Sequence, residues 1–251
     1  MAAVARICRY PVKGLSAQDL QAVPLSAGEG VPEDRAIALA RPEAPFDPAR
    51  PGWLPKRNFL MLMRDERLAS LQVVHHAAEQ RLTIRQGGRL GLEARLGTPD
   101  GRDAVERFFE ELMGPRLGGR PRLVRAPGQI FTDHATKYLS LINLATVQAL
   151  ERALGRPVDP LRFRANLYVA ELPAWAEFGW LGRTIGAGEV RFEAAERIER
   201  CAATNVDPVS AARDLNIPLA LRRTWGHSDC GVMLRVTRGG ELALGATIGA
   251  R

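Results

Sequence analysis

Short runs that alternate apolar and polar residues dominate this chain and predict a mainly β protein. Such alternation gives a strand one buried and one exposed face, and breaks rich in Gly, Pro and Asp between runs predict turns. Residues 42–58 hold several prolines without periodicity and are predicted to be a long loop. Strands are predicted at residues 2–10, 18–25, 35–41, 69–75, 81–85, 162–170, 189–195, 230–237 and 241–245, the last entered through a hairpin turn at Gly239-Gly240.

Three segments have helical periodicity instead. Residues 103–113 share an apolar face, with Asp103 as the candidate N-cap. Residues 144–154 follow Asn143, a second candidate cap, and a third helix is predicted at 215–224. The predicted fold class is therefore mainly β with a few helices, an α+β arrangement.

A turn-rich segment, Gly97-Thr-Pro99-Asp-Gly101, precedes the first predicted helix. The chain has 251 residues, enough for one large domain or two small ones. We therefore expect two parts, residues 1–98 and 99–251, joined too closely to be independent.

Composition predicts a soluble protein in a reducing compartment. Hydrophobic residues make up 46% of the chain and charged residues 25%, both ordinary for globular proteins. No apolar run is long enough for a membrane span, and the N-terminus lacks the pattern of a secretory signal. Cys8, Cys201 and Cys230 are too widely spaced for a disulfide framework or a zinc site. We expect a cytoplasmic protein without a membrane partner.

The formal net charge of +7 has three interpretations. It can reflect an arginine-rich proteome, or an anionic ligand bearing phosphate, which Arg binds bidentately. Nucleic-acid binding is the weakest interpretation, because the basic residues are scattered and aromatic residues, only 6% of the chain, do not alternate with them. We expect no nucleic-acid partner.

Cys201 is the first candidate for chemistry. Arg197 and Arg200 precede it, and positive neighbours favour the thiolate, which is the nucleophile and metal ligand. Thr204 and Asp207 follow it and could orient a ligand. The alternative is a small buried apolar residue, which local sequence alone favours.

A second candidate is the predicted strand around Arg164. Alternation places Arg162, Arg164, Asn166 and Tyr168 on one face, suited to a planar polar ligand with an anionic tail. A solvated strand face explains the same pattern equally well.

Lys13 and Arg35 are candidate phosphate contacts at turns. Lys13 stands in Tyr-Pro-Val-Lys-Gly, and Arg35 follows Asp34. An exposed turn lysine and a surface ion pair are the alternatives. His134 and His227 are isolated in the sequence, and spacing pairs neither of them with Cys201.

Taken in order, these segments resemble the two-part MOSC family from about residue 4 to residue 248. The motifs that carry the resemblance are Tyr10-Pro-Val-Lys13-Gly-Leu15, Gly30-Val-Pro-Glu-Asp34-Arg35, Leu139-Ser-Leu-Ile-Asn143-Leu, Val158-Asp159-Pro-Leu-Arg162-Phe163-Arg164-Ala-Asn166, Glu177-Phe-Gly-Trp180-Leu-Gly182, Arg200-Cys201-Ala-Ala-Thr204-Asn-Val-Asp207-Pro208 and Gly231-Val with Gly239-Gly240. The chain departs from the family pattern at Gly14, where serine is usual, at Cys230, where phenylalanine is usual, and at Gly245-Ala246, which lacks the customary Asp.

The resemblance implies a MOSC-type β-barrel preceded by a small N-terminal β-barrel domain, with molybdopterin, the pterin-based molybdenum cofactor, bound. It implies that Cys201 ligates molybdenum and that Asp207 lies near the metal as a catalytic residue. The residues implied to bind the cofactor are Lys13, Arg35, Arg164, Asn166, Arg200 and Thr204.

The implied reaction removes an oxygen atom from a small N-hydroxylated compound, R–NHOH to R–NH2. The cofactor carries the redox chemistry and the protein binds and orients. Because the chain lacks the ferredoxin-like extension of some relatives, we expect a separate reductase as electron donor. The alternative is a non-redox carrier, with a persulfide or the cofactor held on Cys201.

Overall fold

The computed structural model describes residues 1–125, 128 and 130–250 and consists mostly of short strands. The strands are β1 Ala2–Arg9, β2 Gln18–Leu20, β3 Ala22–Leu25, β4 Ile37–Ala40, β5 Leu71–His76, β6 Arg81–Gln86, β7 Arg89–Arg95, β8 Arg122–Arg125, β9 Leu139–Asn143, β10 Leu167–Ala170, β11 Thr184–Ala187, β12 Val190–Glu199, β13 Asp229–Arg238, β14 Gly240–Ala243 and β15 Thr247–Ala250. The helices are α1 Pro99–Met113, α2 Leu144–Leu154 and α3 Ile217–Trp225. The mainly β prediction is confirmed.

The central feature is a closed barrel of seven strands. Its order is β10-β9-β13-β12-β11-β15-β1, and β1 closes the ring by pairing with β10, while β2 pairs with β1 outside the ring. Only the β9–β10 pair is parallel within this sheet. Apolar side chains from alternate strand positions fill the interior, including Ile7, Leu141, Phe192 and Leu234. The predicted β-barrel is therefore confirmed.

Smaller sheets lie beside the barrel. β5, β6 and β7 form an open three-stranded sheet, and β4 pairs with β8. A second apolar core lies under the three-stranded sheet, with Val105, Phe109 and Met113 of α1 packed into it. The division of the chain between residues 98 and 99 stays a prediction, and β1 from the first part is a strand of the barrel.

The predicted hairpin at Gly239-Gly240 is wrong. β14 pairs with β3, with Leu242 opposite Val23, instead of folding back on β13. A single residue, Gly239, separates β13 from β14, too few for the two-residue loop of a tight hairpin, and Gly239 lies against the carbonyl oxygen of Leu25 at the end of β3. The chain therefore continues from β13 directly into pairing with β3.

Helix ends follow local capping chemistry. α1 begins at Pro99, earlier than predicted, and its cap is Thr98, whose side chain accepts a hydrogen bond from Gly101 N at 3.1 Å. Asp103 lies within the helix and is not the cap. α2 has the predicted bounds, capped by Asn143 and ended by left-handed Gly155. Within the described residues no helix has the length and apolar character needed to span a membrane.

The predicted strand at residues 162–170 is wrong in its first half. Pro160–Phe163 form a 3₁₀ turn whose cap, Asp159, accepts from Leu161 N at 2.8 Å, and Arg164 has left-handed backbone with a φ of 53°. The cap and the proline favour a turn start over extension. Strand alternation therefore begins only at β10, and the expected row of four polar side chains does not form.

Candidate functional site

A cavity of about 520 Å³ opens where the end of β12 meets the segment after β1 and the segments that precede β9 and β10. Its walls carry seven Lys or Arg side chains against three Asp or Glu, so it suits an anionic ligand. It also brings together seven of the eight site residues that the family resemblance implies: Lys13, Arg35, Arg164, Asn166, Arg200, Cys201 and Thr204.

Cys201 presents the accessible thiol of the chain. It lies two residues after Glu199, where β12 ends, and occupies the N-cap position of a 3₁₀ turn, Ala202–Asn205. Cys201 is partly exposed in the cavity, whereas Cys8 and Cys230 are fully buried. Burial raises the pKa of both buried thiols to about 12, which makes them inert. Cys201 is therefore the cysteine that the fold leaves open to a ligand.

The turn that holds Cys201 is fixed by its neighbours. Thr204 donates to the carbonyl oxygen of Cys201 from both its backbone nitrogen, at 3.1 Å, and its hydroxyl, at 2.9 Å. Arg200 is buried and donates to the carbonyl oxygens of Cys230 and Phe163. Burial lowers the pKa of Arg200, and the nearby thiols oppose this. Both side chains thus position the loop, with Arg200 adding a cation beside the thiol.

Gly231 explains why Arg200 can approach so closely. It has a φ of +84°, and a Cβ there would lie 2.3 Å from the carbonyl oxygen of Leu141 and 3.2 Å from Nη2 of Arg200. Only a residue without a side chain fits between β9 and this guanidinium.

Arg35 and Arg164 form a cationic wall around one aromatic ring. Their guanidinium carbons lie 4.7 and 4.4 Å from the ring centroid of Tyr10. Arg35 also donates to Asp34 and, at 2.8 Å, to the carbonyl oxygen of Arg164. Both arginines have left-handed backbone, with φ of 48° and 53°, a conformation that costs about 1–2 kcal/mol per residue. Such strain, held in place by surrounding contacts, is typical of binding sites.

Arg164 has unused hydrogen-bonding capacity at the cavity. Nη1 donates to the carbonyl oxygen of Leu15 at 2.6 Å, while Nη2 is buried without a hydrogen-bond partner among the described residues. Burial, aided by the charge of Arg35, lowers the pKa of Arg164 to about 10. A buried donor without a partner is costly, so this atom fits an anionic or carbonyl group of a ligand.

Two lysines share one carboxylate at the cavity. Asp133 accepts from Lys13 Nζ at 2.8 Å and from Lys56 Nζ at 2.9 Å, one lysine on each oxygen. Burial lowers the pKa of Lys13, although Asp133 opposes this. Burial alone would also lower the pKa of Lys56, but the charges of Asp133 and Cys201 outweigh it and raise that pKa. Lys56 therefore pairs with Asp133 in the cavity that Cys201 also lines.

Asn166 lines the cavity, but its amide is already bonded. Oδ1 accepts from the backbone nitrogen and the hydroxyl of Ser140, both at 3.1 Å, and Nδ2 donates to the carbonyl oxygen of Cys8 at 3.2 Å. These bonds join β1, β9 and the turn before β10. The side chain thus holds three walls of the cavity together.

Gly14 stands where the resemblance expects serine. Its φ is +84°, and a Cβ would meet the carbonyl oxygen of Leu60 at 3.2 Å and Cδ1 of Leu68 at 3.3 Å. Glycine therefore suits the local backbone of this chain, at a position that lines the cavity.

Asp207 does not line the cavity. Its Oδ1 accepts from the backbone nitrogens of Val209, at 3.0 Å, and Ser210, at 2.7 Å, and its Oδ2 accepts from Arg162 Nη2 at 2.8 Å. Arg162 also donates to Asn205 O at 3.1 Å and to Asp214 Oδ1 at 2.8 Å. The pair fixes the segment that follows Cys201.

Sequence reasoning missed several residues of the cavity. Lys56 lies in the segment predicted as an aperiodic loop, and no local pattern singled out Asp133. His134 and Glu196 also line the cavity and face each other. In the sequence only their residue types marked them as candidates, because the contact between them joins segments that are far apart in the chain.

Within the described residues, no group of three His, Cys, Asp or Glu side chains is placed to hold a metal ion. A metal bound by protein ligands alone therefore does not fit. If an organic anion supplies most of the ligands of a metal, the protein needs to supply only one. The thiol of Cys201 fits that need.

Fold and site together define a β-barrel protein with a cationic ligand cavity and one accessible thiol. The MOSC domain family matches residues 123–249, half of the chain, and the chain belongs to that family.

Two curated proteins are similar to parts of the chain. Mitochondrial amidoxime-reducing component 1 of Mus musculus is 27% identical over 122 residues, which are 48% of this chain and 35% of that protein. Molybdenum cofactor sulfurase of Caenorhabditis elegans is 26% identical over 155 residues, 60% of this chain and 21% of that protein. The matched regions thus span about a third and a fifth of these relatives.

Two solved structures also match. The YuaD protein from Bacillus subtilis has a TM-score of 0.46 at 11% identity, with 98% of this chain and 93% of that chain covered. YiiM from Geobacillus stearothermophilus has a TM-score of 0.37 at 19% identity, with 52% and 67% covered.

Proposed function

We propose that this protein binds a pterin-based molybdenum cofactor in the cavity, with the Cys201 thiolate as a metal ligand, and reduces small N-hydroxylated compounds. The observation that carries the proposal is that an accessible thiol and the unpartnered Arg164 Nη2 share one cationic cavity.

Three cationic side chains indicate where the anionic end of the ligand would bind. The Lys13 ammonium and the Arg35 and Arg164 guanidiniums would bind the phosphate, because charge-assisted bonds to phosphate are short and strong. Arg164 Nη2 gains the partner that it otherwise lacks.

At the metal end, Cys201 supplies the ligand and its neighbours position it. A soft thiolate suits molybdenum held by sulfur donors. Arg200 and Thr204 keep the Cys201 turn in place through backbone carbonyls, and Asn166 joins the cavity walls. Asp207, which lies outside the cavity, acts as a positioning residue through Arg162. When bound, the cofactor supplies the two-electron exchange with the substrate.

The names of the two similar curated proteins support this assignment. One is an amidoxime-reducing component and the other a molybdenum cofactor sulfurase. We infer from the first that the substrates are small N-oxygenated molecules and that a separate reductase supplies the electrons. The whole-protein activity of either relative is a proposal for this chain.

The test is expression in a host that makes the cofactor, followed by measurement of molybdenum and released pterin per protein. Wild type is expected to carry both in equal amounts, and Cys201→Ser to keep pterin but lose most of the molybdenum. Lys137→Ala is the matched control, because Lys137 pairs with Glu29 outside the cavity. Equal molybdenum in wild type and Cys201→Ser would overturn the ligand assignment, and wild type without pterin would overturn cofactor binding.

The second candidate function is non-redox carriage of sulfur or of the cofactor. Two observations favour it: Cys201 is open to the cavity, and the sulfurase match covers 60% of this chain. A carrier would show a persulfide on Cys201 by peptide mass spectrometry, without bound metal and without reduction of a hydroxylamine by an added electron donor.

A further inference from the structure

One titratable pair in the cavity has no part in holding the ligand. His134, in the segment before β9, places Nδ1 at 3.4 Å from Oε1 of Glu196 on β12. Both side chains line the same cavity as Cys201 and are partly exposed, at 44% and 46%. The pair therefore joins two walls of the cavity at a place that water reaches.

The position of the His134 ring is defined by its own segment. The Thr132 hydroxyl donates to the carbonyl oxygen of His134 at 2.7 Å, and the ring meets Tyr138 edge to face at a centroid distance of 5.8 Å. Nδ1 is the ring nitrogen that lies within ion-pair distance of Glu196, which leaves Nε2 to exchange a proton with a ligand.

His134 is also the histidine that the fold brings to the site. The structure describes all four histidines of the chain, and His75, His76 and His227 do not line this cavity. The other basic side chains of the walls are Lys and Arg, whose ordinary pKa values lie well above neutral. Histidine is the side chain that exchanges a proton in the neutral range.

We propose that His134, oriented by Glu196, is the catalytic proton donor to the oxygen that leaves the substrate in this cavity. The inference rests on the proposed reductase function.

The proposed reaction consumes protons as well as electrons. R–NHOH takes two electrons and two protons and gives R–NH2 and water. The N–O bond breaks, the oxygen leaves as water with one proton from Nε2 of His134, and the nitrogen takes its proton from solvent. The electrons come from the separate reductase, or from reduced methyl viologen in an assay. Solvent then restores the proton on the half-exposed ring.

Charged and titratable groups near His134 come from each neighbouring element. They are Asp133 and Tyr138 on its own segment, Glu196, Arg197 and Glu199 at the end of β12, Lys56 from the preceding loop, and Arg235 of β13, which lies near Tyr138. Of these, Glu196 lies within ion-pair distance of the ring, so we assign it the orienting role.

The test uses the cofactor-loaded full chain, N-phenylhydroxylamine as substrate and reduced methyl viologen as donor. Because the acid form of His134 is required, wild-type kcat is expected to fall as pH rises. His134→Gln is expected to lose about 100-fold in kcat and to lose this pH dependence. Glu196→Gln is expected to lower kcat while keeping the pH dependence, because the proton donor remains but loses the carboxylate that orients it.

His76→Gln is the matched control, since His76 is an exposed histidine of β5 outside the cavity. It is expected to behave as wild type. A His134→Gln variant with the wild-type rate and pH profile would overturn the inference while the reductase function stands. A wild type that is loaded with cofactor yet reduces nothing would overturn the reductase function and this inference with it.

A readout without turnover tests the orienting role of Glu196. Nitrogen-15 NMR of the histidine rings, assigned with His134→Gln, distinguishes which nitrogen of the neutral ring carries the proton. In wild type we expect Nδ1 of His134 to carry it, and in Glu196→Gln we expect Nε2. The same tautomer in both proteins would overturn the orienting role. Equal molybdenum content in both variants is expected, which separates proton donation from cofactor binding.

Discussion

Replacing Arg162 by Met removes a buried guanidinium that ties the segment after Cys201 to the turn before β10. The side chain of Arg162 is 2% exposed and donates to Asp207 and Asp214 at 2.8 Å each, and to the carbonyl oxygen of Asn205 at 3.1 Å. Met preserves most of the buried aliphatic volume, so the change tests the charge and its hydrogen bonds.

The expected loss of free energy of unfolding depends on how exposed the two aspartate partners of Arg162 are. Breaking a fully buried ion pair costs about 3–5 kcal/mol. Here the Asp207 and Asp214 side chains are 23% and 30% exposed, so water can solvate them once Arg162 is gone. We therefore expect the free energy of unfolding to fall by about 2–3 kcal/mol, between the buried and the surface limits.

The assay is urea unfolding of wild type and Arg162→Met, with Arg156→Met as control. Arg156 also contacts Asp214, but it is 56% exposed, so its loss should change the free energy of unfolding by about 0–1 kcal/mol. If Arg162→Met cost no more than Arg156→Met, the structural role assigned to Arg162 would be refuted.

Three further predictions follow from burial and close contact. In the native protein, iodoacetamide should alkylate Cys201 and leave Cys8 and Cys230 unmodified until unfolding, as peptide mass spectrometry would show. Burial raises the pKa of the Glu177 carboxyl, so the folded protein loses stability as pH rises through this raised value and the carboxyl ionises. Glu177→Gln lacks this ionisation, so its free energy of unfolding, measured by urea titration, should increase relative to that of wild type from acid to neutral pH. Gly231→Ala would place a Cβ 2.3 Å from a backbone carbonyl oxygen of β9, and should lower the free energy of unfolding by about 3 kcal/mol or prevent folding.

Each of these three predictions can be contradicted by a specific result. Gly245→Ala is the control for Gly231→Ala: its φ is +79° with nothing within 4 Å of the new Cβ, so only the backbone cost of about 1–2 kcal/mol is expected. Similar losses in the two variants would show that the close contact is not decisive. Equal alkylation of all three cysteines, or a pH-independent difference for Glu177→Gln, would contradict the assigned burial.

Local chemistry in the sequence predicted several elements well. α2 has the predicted bounds because Asn143 caps its start and Gly155 ends it within a few residues of chain. Short alternating strands are likewise visible because alternation reflects one buried face. The prediction is wrong at residues 160–166, where Asp159 and Pro160 start a turn inside an alternating pattern.

The candidate site was partly predictable for a related reason. Lys13, Arg35 and Cys201 stand at ends of strands or in turns with distinctive composition, and ordered motifs along the chain linked them to one family. Lys56 and His134 carried no such local signal. Their importance depends on which segments the barrel brings to the end of β12.

The sequence by itself determined the mainly β class, the capped helix α2 and most of the candidate ligand-binding residues, because these depend on periodicity and on chemistry within a few residues. The tertiary structure decided which thiol is open, since burial of Cys8 and Cys230 requires the closed barrel and its helices. It also decided that Arg162, in the cavity wall, ties Asp207, outside it, to the segment after Cys201, and that His134 meets Glu196. These outcomes depend on contacts between residues tens of positions apart, which periodicity does not record.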